Sequence, residues 1–347
     1  MINFCSATGI YNRSTLTFPI PDKAVKASST SILGWKSWPF KRRLIILGLG
    51  LIAIFALTLG LGIGLVVGSG HGSGDENDSE PSPLPPPPPS SGNETAQPNA
   101  TVKWQPMVGT TWQIELEYPL NDTSYNASIY DIDLFNNNAS IIAELHRLGR
   151  KVICYFSAGS YENWRPDKDE FQQSDLGNTL DGWPDEKWVN ISSSDVRRIM
   201  LNRLELAASK GCDGVDPDNV DGYDNDNGLG LTEVDSVDYV NWLAEEAHAR
   251  NMSVGLKNAG DIIPSVLGNM QWSVNEQCVE FDECVIYSAF TRVGKPVFHI
   301  EYPKGEDTDN NQSVSAQKKL EFCDYPGVGN FSTVLKNMDL DNWVETC

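Results

Sequence analysis

Histidine and closely paired cysteines are scarce in this chain, and their scarcity excludes several kinds of site. The 347 residues include four His and seven Cys, and no two Cys stand in a C-x-x-C arrangement. Zinc sites are usually built from such clusters, so we expect no metal and no other cofactor. The absence of G-x-S-x-G, H-E-x-x-H and Walker motifs, and of a Gly-rich phosphate turn in the α/β region, argues against serine hydrolases, zinc proteases, NTPases and dinucleotide-binding enzymes.

Basic residues are also few beyond the first 70 positions. Seven of the 26 Lys and Arg but one of the 47 Asp and Glu precede residue 71, which leaves 19 basic and 46 acidic residues for the remainder. Such a surface repels nucleic acid and attracts cationic partners, although an acidic surface also keeps a secreted protein soluble. We therefore expect no nucleic-acid partner.

One long apolar segment, residues 44–67, contains no charge. At helical rise it is long enough to cross a hydrocarbon core of about 30 Å. Four basic residues precede it closely and acids follow it, so the positive-inside rule places the N-terminus in the cytoplasm. The sequence predicts a cytoplasmic tail at 1–43 and a single-pass type II membrane helix at 44–67; a cleaved signal peptide is the alternative.

The segment after the span, residues 68–103, is rich in Gly, Ser and Pro and predicts an extended stalk before a domain at 104–347. Ten N-x-S/T sequons follow the span. They begin at Asn77, Asn93, Asn99, Asn121, Asn126, Asn138, Asn190, Asn251, Asn311 and Asn330. Their density agrees with an extracellular or lumenal domain, which proteolysis could still release.

Six cysteines follow the span, an even number for an oxidising compartment. Short intervening loops favour the pairs Cys278–Cys284 and Cys323–Cys347. Cys154 and Cys212 are then either paired with each other or free and buried.

The region 104–347 alternates strand, polar loop and helix. Eight strands are predicted, at 113–118, 129–134, 151–157, 187–191, 213–218, 253–258, 271–276 and 296–301. Parallel strands with intervening helices over this length favour a (β/α)8 TIM barrel over a doubly wound sheet.

A barrel presents its catalytic groups where its strands end, and this chain places polar residues there. They are Asp131 and Asp133, Asp216 and Asp218, Lys257 and Asn258, Glu276, and Glu301. An unpaired buried carboxylate costs several kcal/mol, so each acid is either paired or used. Asp131 is as readily a structural hydrogen-bond acceptor as a ligand group. Asp218 and Glu276 fit the two carboxyls of a glycosidase, and the alternative is a buried structural pair.

Four segments together resemble glycoside hydrolase family 114, the endo-α-1,4-polygalactosaminidases. They are 129–135, 152–160, 211–223 and 274–278, and the most specific is Asp-Pro-Asp-Asn-Val-Asp-Gly-Tyr within the third. The likeness covers roughly 104–300, and membrane-anchored fungal members are especially similar. It implies a barrel with Asp218 and Glu276 as the catalytic pair. Asn190 departs from the family pattern, where an Asp is frequent; either its sequon is unused or the fourth strand is misplaced.

The resemblance implies a cationic, galactosamine-containing polysaccharide as partner, which suits an acidic cleft. Substrate contacts are expected from Asp131, Asp133, Tyr155, Asp216, Tyr223, Asn258, Glu301 and Tyr302. We expect Glu276 to be the general acid/base with a raised pKa and Asp218 the nucleophile or stabiliser, although the roles could be reversed. Alternatives are a non-catalytic carbohydrate-binding module and a glycosidase or transglycosylase acting on another α-glycan. A monomer is expected.

Overall fold

The computed structural model describes residues 103–305 and 308–347. The predicted tail, membrane helix and nearly all of the stalk lie outside these ranges. Within them, no helix combines the length and apolar character needed to cross a bilayer.

The described ranges contain strands and helices in alternation. The strands are β1 (Trp112–Glu115), β2 (Ile129–Asp133), β3 (Lys151–Ser157), β4 (Ser160–Glu162), β5 (Leu176–Leu180), β6 (Trp183–Val189), β7 (Gly214–Asp218), β8 (Ser253–Lys257), β9 (Trp272–Glu276), β10 (Val297–Glu301), β11 (Ser332–Leu335) and β12 (Glu345–Thr346). The α-helices are α1 (Ala139–Arg147), α2 (Ser194–Lys210), α3 (Glu233–Ala249), α4 (Ile263–Val266), α5 (Cys284–Arg292) and α6 (Ala316–Cys323).

The main sheet has nine strands in the order β1-β2-β3-β7-β8-β9-β10-β11-β12. The first eight are parallel to their neighbours, and β12 pairs antiparallel with β11. The indole Nε1 of Trp112 in β1 donates to the carbonyl of Ser332 in β11 at 2.7 Å, so the two ends of the parallel order meet. The sheet is therefore curled, in a mixed α/β fold consistent with a TIM-like barrel.

The predicted fourth strand, 187–191, is wrong as a member of this sheet. Its residues fall mostly in β6, which pairs antiparallel with β4 and β5 in a separate three-stranded sheet between β3 and α2. The eighth parallel strand is instead β11, which the prediction missed. The local β signal of 187–191 was real, but its partner strands are not encoded in a local pattern.

Apolar residues form two main clusters, one on each face of the curled sheet. The inner cluster is built from strand residues such as Trp112, Trp272 and Phe298. The outer cluster joins the opposite strand faces to the helices. Trp272 fits inside because β7 and β8 offer glycine there: a Cβ on Gly214 would lie 2.5 Å from its ring, and one on Gly255 would lie 2.0 Å from Nε1.

Helix α2 delivers the chain to β7 in a fixed register. Ser193 caps its first turn by accepting from the amide of Asp195, and Gly211 ends the helix with φ of 90°. A left-handed residue suits glycine and turns the chain sharply. Three residues, 211–213, thus separate the helix from the strand that begins the most specific sequence segment.

Three disulfides tie the described domain together. The predicted pairs Cys278–Cys284 and Cys323–Cys347 are confirmed, and Cys154 is bonded to Cys212. The last bridge joins the middle of β3 to the segment that enters β7, so two neighbouring strands of the site are covalently linked.

Candidate active site

The carboxyl ends of β7, β8 and β9 bring two acids and one lysine together. Lys257 Nζ lies 3.1 Å from Oε2 of Glu276 and 3.6 Å from Oδ1 of Asp218. The side chain of Lys257 is 2% exposed, whereas that of Asp218 is 17% exposed and that of Glu276 is 22% exposed. Since both oxygens lie within reach of one nitrogen, they are no more than about 6.7 Å apart. The predicted pair therefore converges at one mouth of the curled sheet.

The chain leaves each of these three strands through a left-handed residue. Asn219, Asn258 and Gln277 have φ of 59°, 46° and 62°. Asn adopts this conformation with modest strain, while Gln does so rarely. Such backbone persists where the surrounding structure determines it, and it is frequent at functional sites.

Asp218 is fixed through its side chain and its backbone. Tyr155 donates its hydroxyl to Oδ2 at 2.9 Å, and the amide of Asn219 donates to Oδ1 at 2.8 Å. The backbone carbonyl of Asp218 accepts from the amides of Ala158 and Gly159 at 2.8 and 3.0 Å. A Cβ on Gly159 would lie 1.6 Å from the carbonyl oxygen of Asn219, so this close crossing requires glycine.

Glu276 is held on three sides. Tyr302 donates its hydroxyl to Oε1, and the side-chain amide of Asn258 donates to Oε2 at 3.3 Å. The amide oxygen of Asn258 in turn accepts from the backbone N–H of Glu276 at 2.9 Å. Burial acts to raise the pKa of Glu276, but Lys257, Tyr302 and Asn258 outweigh it and lower the pKa. The expectation of a raised pKa is therefore wrong for the free protein.

Asp131 and Asp216 lie deeper inside the sheet and are 0% exposed. If both side chains are ionised, none of their oxygens has a hydrogen-bond donor in the described part of the chain. Burial raises the pKa of Asp131 well above its usual range and that of Asp216 to about 7, and each carboxyl lies within hydrogen-bond reach of the other. Two such carboxyls share a proton. Complete burial leaves these two carboxyls without an exposed oxygen in the free protein, so the structure gives no support to the prediction that they touch substrate.

Asp133 also differs from its predicted role. It is 1% exposed, with Oδ2 paired to Arg165 Nη2 at 2.7 Å. Its Oδ1 accepts from the amides of Phe135 and Asn136 at 2.9 and 2.7 Å. Both oxygens are occupied by contacts that close the turn after β2, so a structural role replaces the expected substrate contact.

Glu301 points away from the mouth. Side chains alternate along β10, so Tyr302 lies on the inner face and Glu301 on the outer one. There Oε1 contacts His299 Nε2 at 2.9 Å and accepts from the amide of Val279 at 2.8 Å. Because Glu301 faces away from the mouth, the prediction that it contacts substrate is wrong.

Tyr223 lies in the short 3-10 turn Gly222–Asp224 that follows β7. Burial raises its pKa, and Asp261 and Asp221 raise it further. Burial and then Asp218 also raise the pKa of Asp221 to about 7. Tyr223 therefore belongs to an acidic loop beside the central cluster rather than to the cluster itself.

Two residues gained importance only in the structure. A lysine ending the apolar strand Ser253–Lys257 was visible in the sequence, but its position between two acids was not. Glu186 in β6 gave no signal because the small sheet was not recognised. It is 8% exposed and accepts from the Ser160 hydroxyl at 2.6 Å; burial, Glu162 and Asp218 raise its pKa to about 7.

One group of potential metal ligands lies on the outer face. Cys278, Cys284 and His299 are close enough to share an ion. The two sulfurs are joined in a disulfide, and zinc requires thiolates, so the group does not fit a zinc site.

Comparison with known proteins shows which family and which solved structures this chain is similar to. The sequence profile of Glycoside-hydrolase family GH114 matches residues 93–347. The solved structure of Aspergillus fumigatus Ega3 in complex with galactosamine is 70% identical, with a TM-score of 0.70 over 71% of this chain and 98% of that chain.

A more distant structure shares the fold. The glycoside hydrolase domain of PelA from Pseudomonas aeruginosa is 11% identical, with a TM-score of 0.53 over 67% of this chain and 98% of that domain. No curated protein sequence matches the chain. Because the family profile spans well over half of its length, the chain belongs to glycoside hydrolase family GH114.

Proposed function

We propose that this chain is an endo-acting glycoside hydrolase that cleaves an α-1,4-linked galactosamine polymer with Asp218 and Glu276. The observation that carries the proposal is the convergence of these two partly exposed carboxyls on Lys257 at one mouth of the sheet. The galactosamine bound to Ega3, a protein 70% identical to this one, supports the choice of sugar.

We propose a retaining mechanism for the pair. Carboxyls of retaining glycosidases lie about 5–5.5 Å apart and those of inverting ones about 6.5–9.5 Å apart. The two oxygens that face Lys257 are at most about 6.7 Å apart, which is compatible with the retaining spacing. Asp218 attacks the anomeric carbon and forms a glycosyl ester while the protonated form of Glu276 gives its proton to the departing oxygen. Glu276 then takes a proton from water, whose oxygen attacks the same carbon and releases Asp218.

Lys257 links the two steps electrostatically. In the free protein its charge is shared between Asp218 and Glu276. Once Asp218 becomes a neutral ester, the lysine acts on Glu276 alone and lowers its pKa further. Glu276 is therefore a stronger acid in the intermediate, where its ionised form is required as the base.

Acidic side chains around the mouth favour a cationic substrate. Asp221, Asp224 and Asp261 line the loops after β7 and β8, and their charges act together on Tyr223. Galactosamine carries an ammonium group near neutral pH, so such a field attracts it and orients its amines.

We extend the proposal to the architecture and location of the chain. The sheet is taken as a closed (β/α)8 barrel, supported by the Trp112–Ser332 hydrogen bond and by the filled interior. The barrel is monomeric and is carried on the stalk by a type II membrane helix at 44–67, supported by the charge asymmetry around that segment. An experimental structure with β1 and β11 apart would contradict the closed barrel.

Asp218→Asn and Glu276→Gln should each lower kcat on deacetylated galactosamine oligomers by at least about 100-fold, because each removes one half of the acid and nucleophile pair. Product release measured by mass spectrometry checks this. Glu144→Gln, on the outer surface of α1 and paired with Arg147, is the control. Full turnover in either site variant would remove that residue from the mechanism, and binding without products in the wild type would favour a carbohydrate-binding module.

Lys257→Met should move the alkaline limb of the bell-shaped profile of kcat/KM to higher pH. The lysine lowers the pKa of Glu276, so its removal leaves burial to raise that pKa, and the acid stays protonated to higher pH. Lys151→Met, which breaks a surface pair with Asp213, is the control. An unmoved profile in folded Lys257→Met would contradict the role of the lysine.

Ionic strength should separate a cationic from a neutral substrate. The KM for deacetylated oligomers should rise several-fold between about 0.05 and 0.5 M NaCl as the acidic mouth is screened, with kcat little changed. Steady-state kinetics at fixed pH measures this. Salt-independent cleavage of a neutral α-glucan would instead favour a glycosidase or transglycosylase acting on another glycan.

The full-length chain made in a eukaryotic secretory system should sediment with membranes, resist carbonate extraction and dissolve in detergent. N-terminal sequencing of the recovered protein provides the control. A soluble product beginning after residue 67 would favour a cleaved signal peptide.

A further inference from the structure

The small sheet of β4, β5 and β6 presents one face to the mouth of the main sheet. Side chains alternate along β6, so Glu186 and Trp188 share that face. A Cβ on Gly222, in the turn after β7, would lie 3.1 Å from the Trp188 ring, so this face packs on the loop beside the site. Asp185 lies on the opposite, exposed face and accepts from the side-chain amide of Asn163 at 2.7 Å.

A chain of hydrogen bonds connects Glu186 to the residue that follows Asp218. The Ser160 hydroxyl donates to Glu186 Oε2 at 2.6 Å and lies 2.6 Å from the Ser157 hydroxyl. Ser157 accepts from the side-chain amide of Asn219 at 2.9 Å. Glu186 is therefore held in a fixed position relative to Asp218.

The charges that face Glu186 leave it short of a counterion. Glu162 on β4 and Asp218 on β7 repel its carboxylate, and both contribute to its raised pKa. Arg165 attracts it, but the same guanidinium nitrogen lies 2.7 Å from both Asp133 and Glu162. Oε2 of Glu162 is itself buried without a hydrogen-bond donor in the described part of the chain.

We propose that Glu186 binds the amino group of a galactosamine unit next to the scissile bond and selects against an N-acetylated unit at that position. The proposal rests on the proposed function. An ammonium group supplies both the missing counterion and charge-assisted hydrogen bonds. An acetamido group is neutral and larger, and it would leave a desolvated carboxylate without a cation.

The test uses galactosamine oligomers with scattered N-acetyl groups, digested by the wild type, Glu186→Gln and Asp185→Asn. Mass spectrometry locates the acetyl groups at the newly formed ends. The wild type should exclude N-acetylated sugar from one position beside the cut, and Glu186→Gln should admit it there several-fold more often. On fully deacetylated oligomers Glu186→Gln should raise KM about tenfold with little change in kcat. Asp185→Asn, with the same charge change on the same strand, should match the wild type.

A conservative variant separates recognition from folding. If Glu186→Gln melts at a lower temperature, Glu186→Asp, which keeps the charge, should restore the exclusion of acetylated sugar. An acetyl pattern identical in the wild type and folded Glu186→Gln would overturn the proposal, as would a loss of kcat at unchanged KM. If the wild type yields no products, the proposed function fails; calorimetric binding of deacetylated oligomers to the wild type and Glu186→Gln then still decides whether Glu186 holds the amine.

Discussion

The buried ammonium group of Lys257 is the charge on which the site depends. Burial acts to lower the pKa of Lys257, but Asp218, Glu276 and Asp216 raise it well above its usual value, so the lysine stays charged. A charge removed from water is costly unless it is paired. One cation thus balances part of the charge of several acids, and the remaining excess is reduced by the proton that Asp131 and Asp216 share.

Strand geometry places these groups with little freedom. Because side chains alternate, the glycines that accommodate Trp272 on β7 and β8 also fix which residues of those strands face inward: Asp216 and Asp218 on one, Lys257 on the other. The Cys154–Cys212 bridge and the crossing at Gly159 then restrain the end of β7. Packing at the bottom of the sheet therefore determines chemistry at its top.

The sequence predicted much of the central cluster. Acids and aromatic residues at strand ends, together with the family resemblance, indicated five residues that the structure brings together: Asp218, Glu276, Tyr155, Asn258 and Tyr302. Glu301 also ends a strand, but the alternation of side chains along that strand places it on the opposite face from Tyr302. The lowered pKa of Glu276 could not be predicted, since it depends on a lysine from the neighbouring strand.

Glu186 could not be predicted from the sequence, for a different reason. Its strand belongs to an insertion whose pairing is set by tertiary contacts rather than by a local pattern. Buried arginines join that insertion to the main fold: Arg203 on α2 donates to the carbonyl of Ser157 at 2.6 Å and pairs with Asp167 at 2.8 Å.

The residue proposed to recognise the amine and the residues proposed to react lie on two different sheets. The proposed reactive groups lie on parallel strands of the main sheet, while Glu186 lies on a sheet held to them by Arg165 and Arg203, which are both almost fully buried. Breaking a buried ion pair costs about 3–5 kcal/mol, so the small sheet does not leave the mouth without a large loss of stability. The distance from Glu186 to Asp218 is thus set before any sugar arrives, and a carboxyl fixed in this way can discriminate an amine from an acetamide.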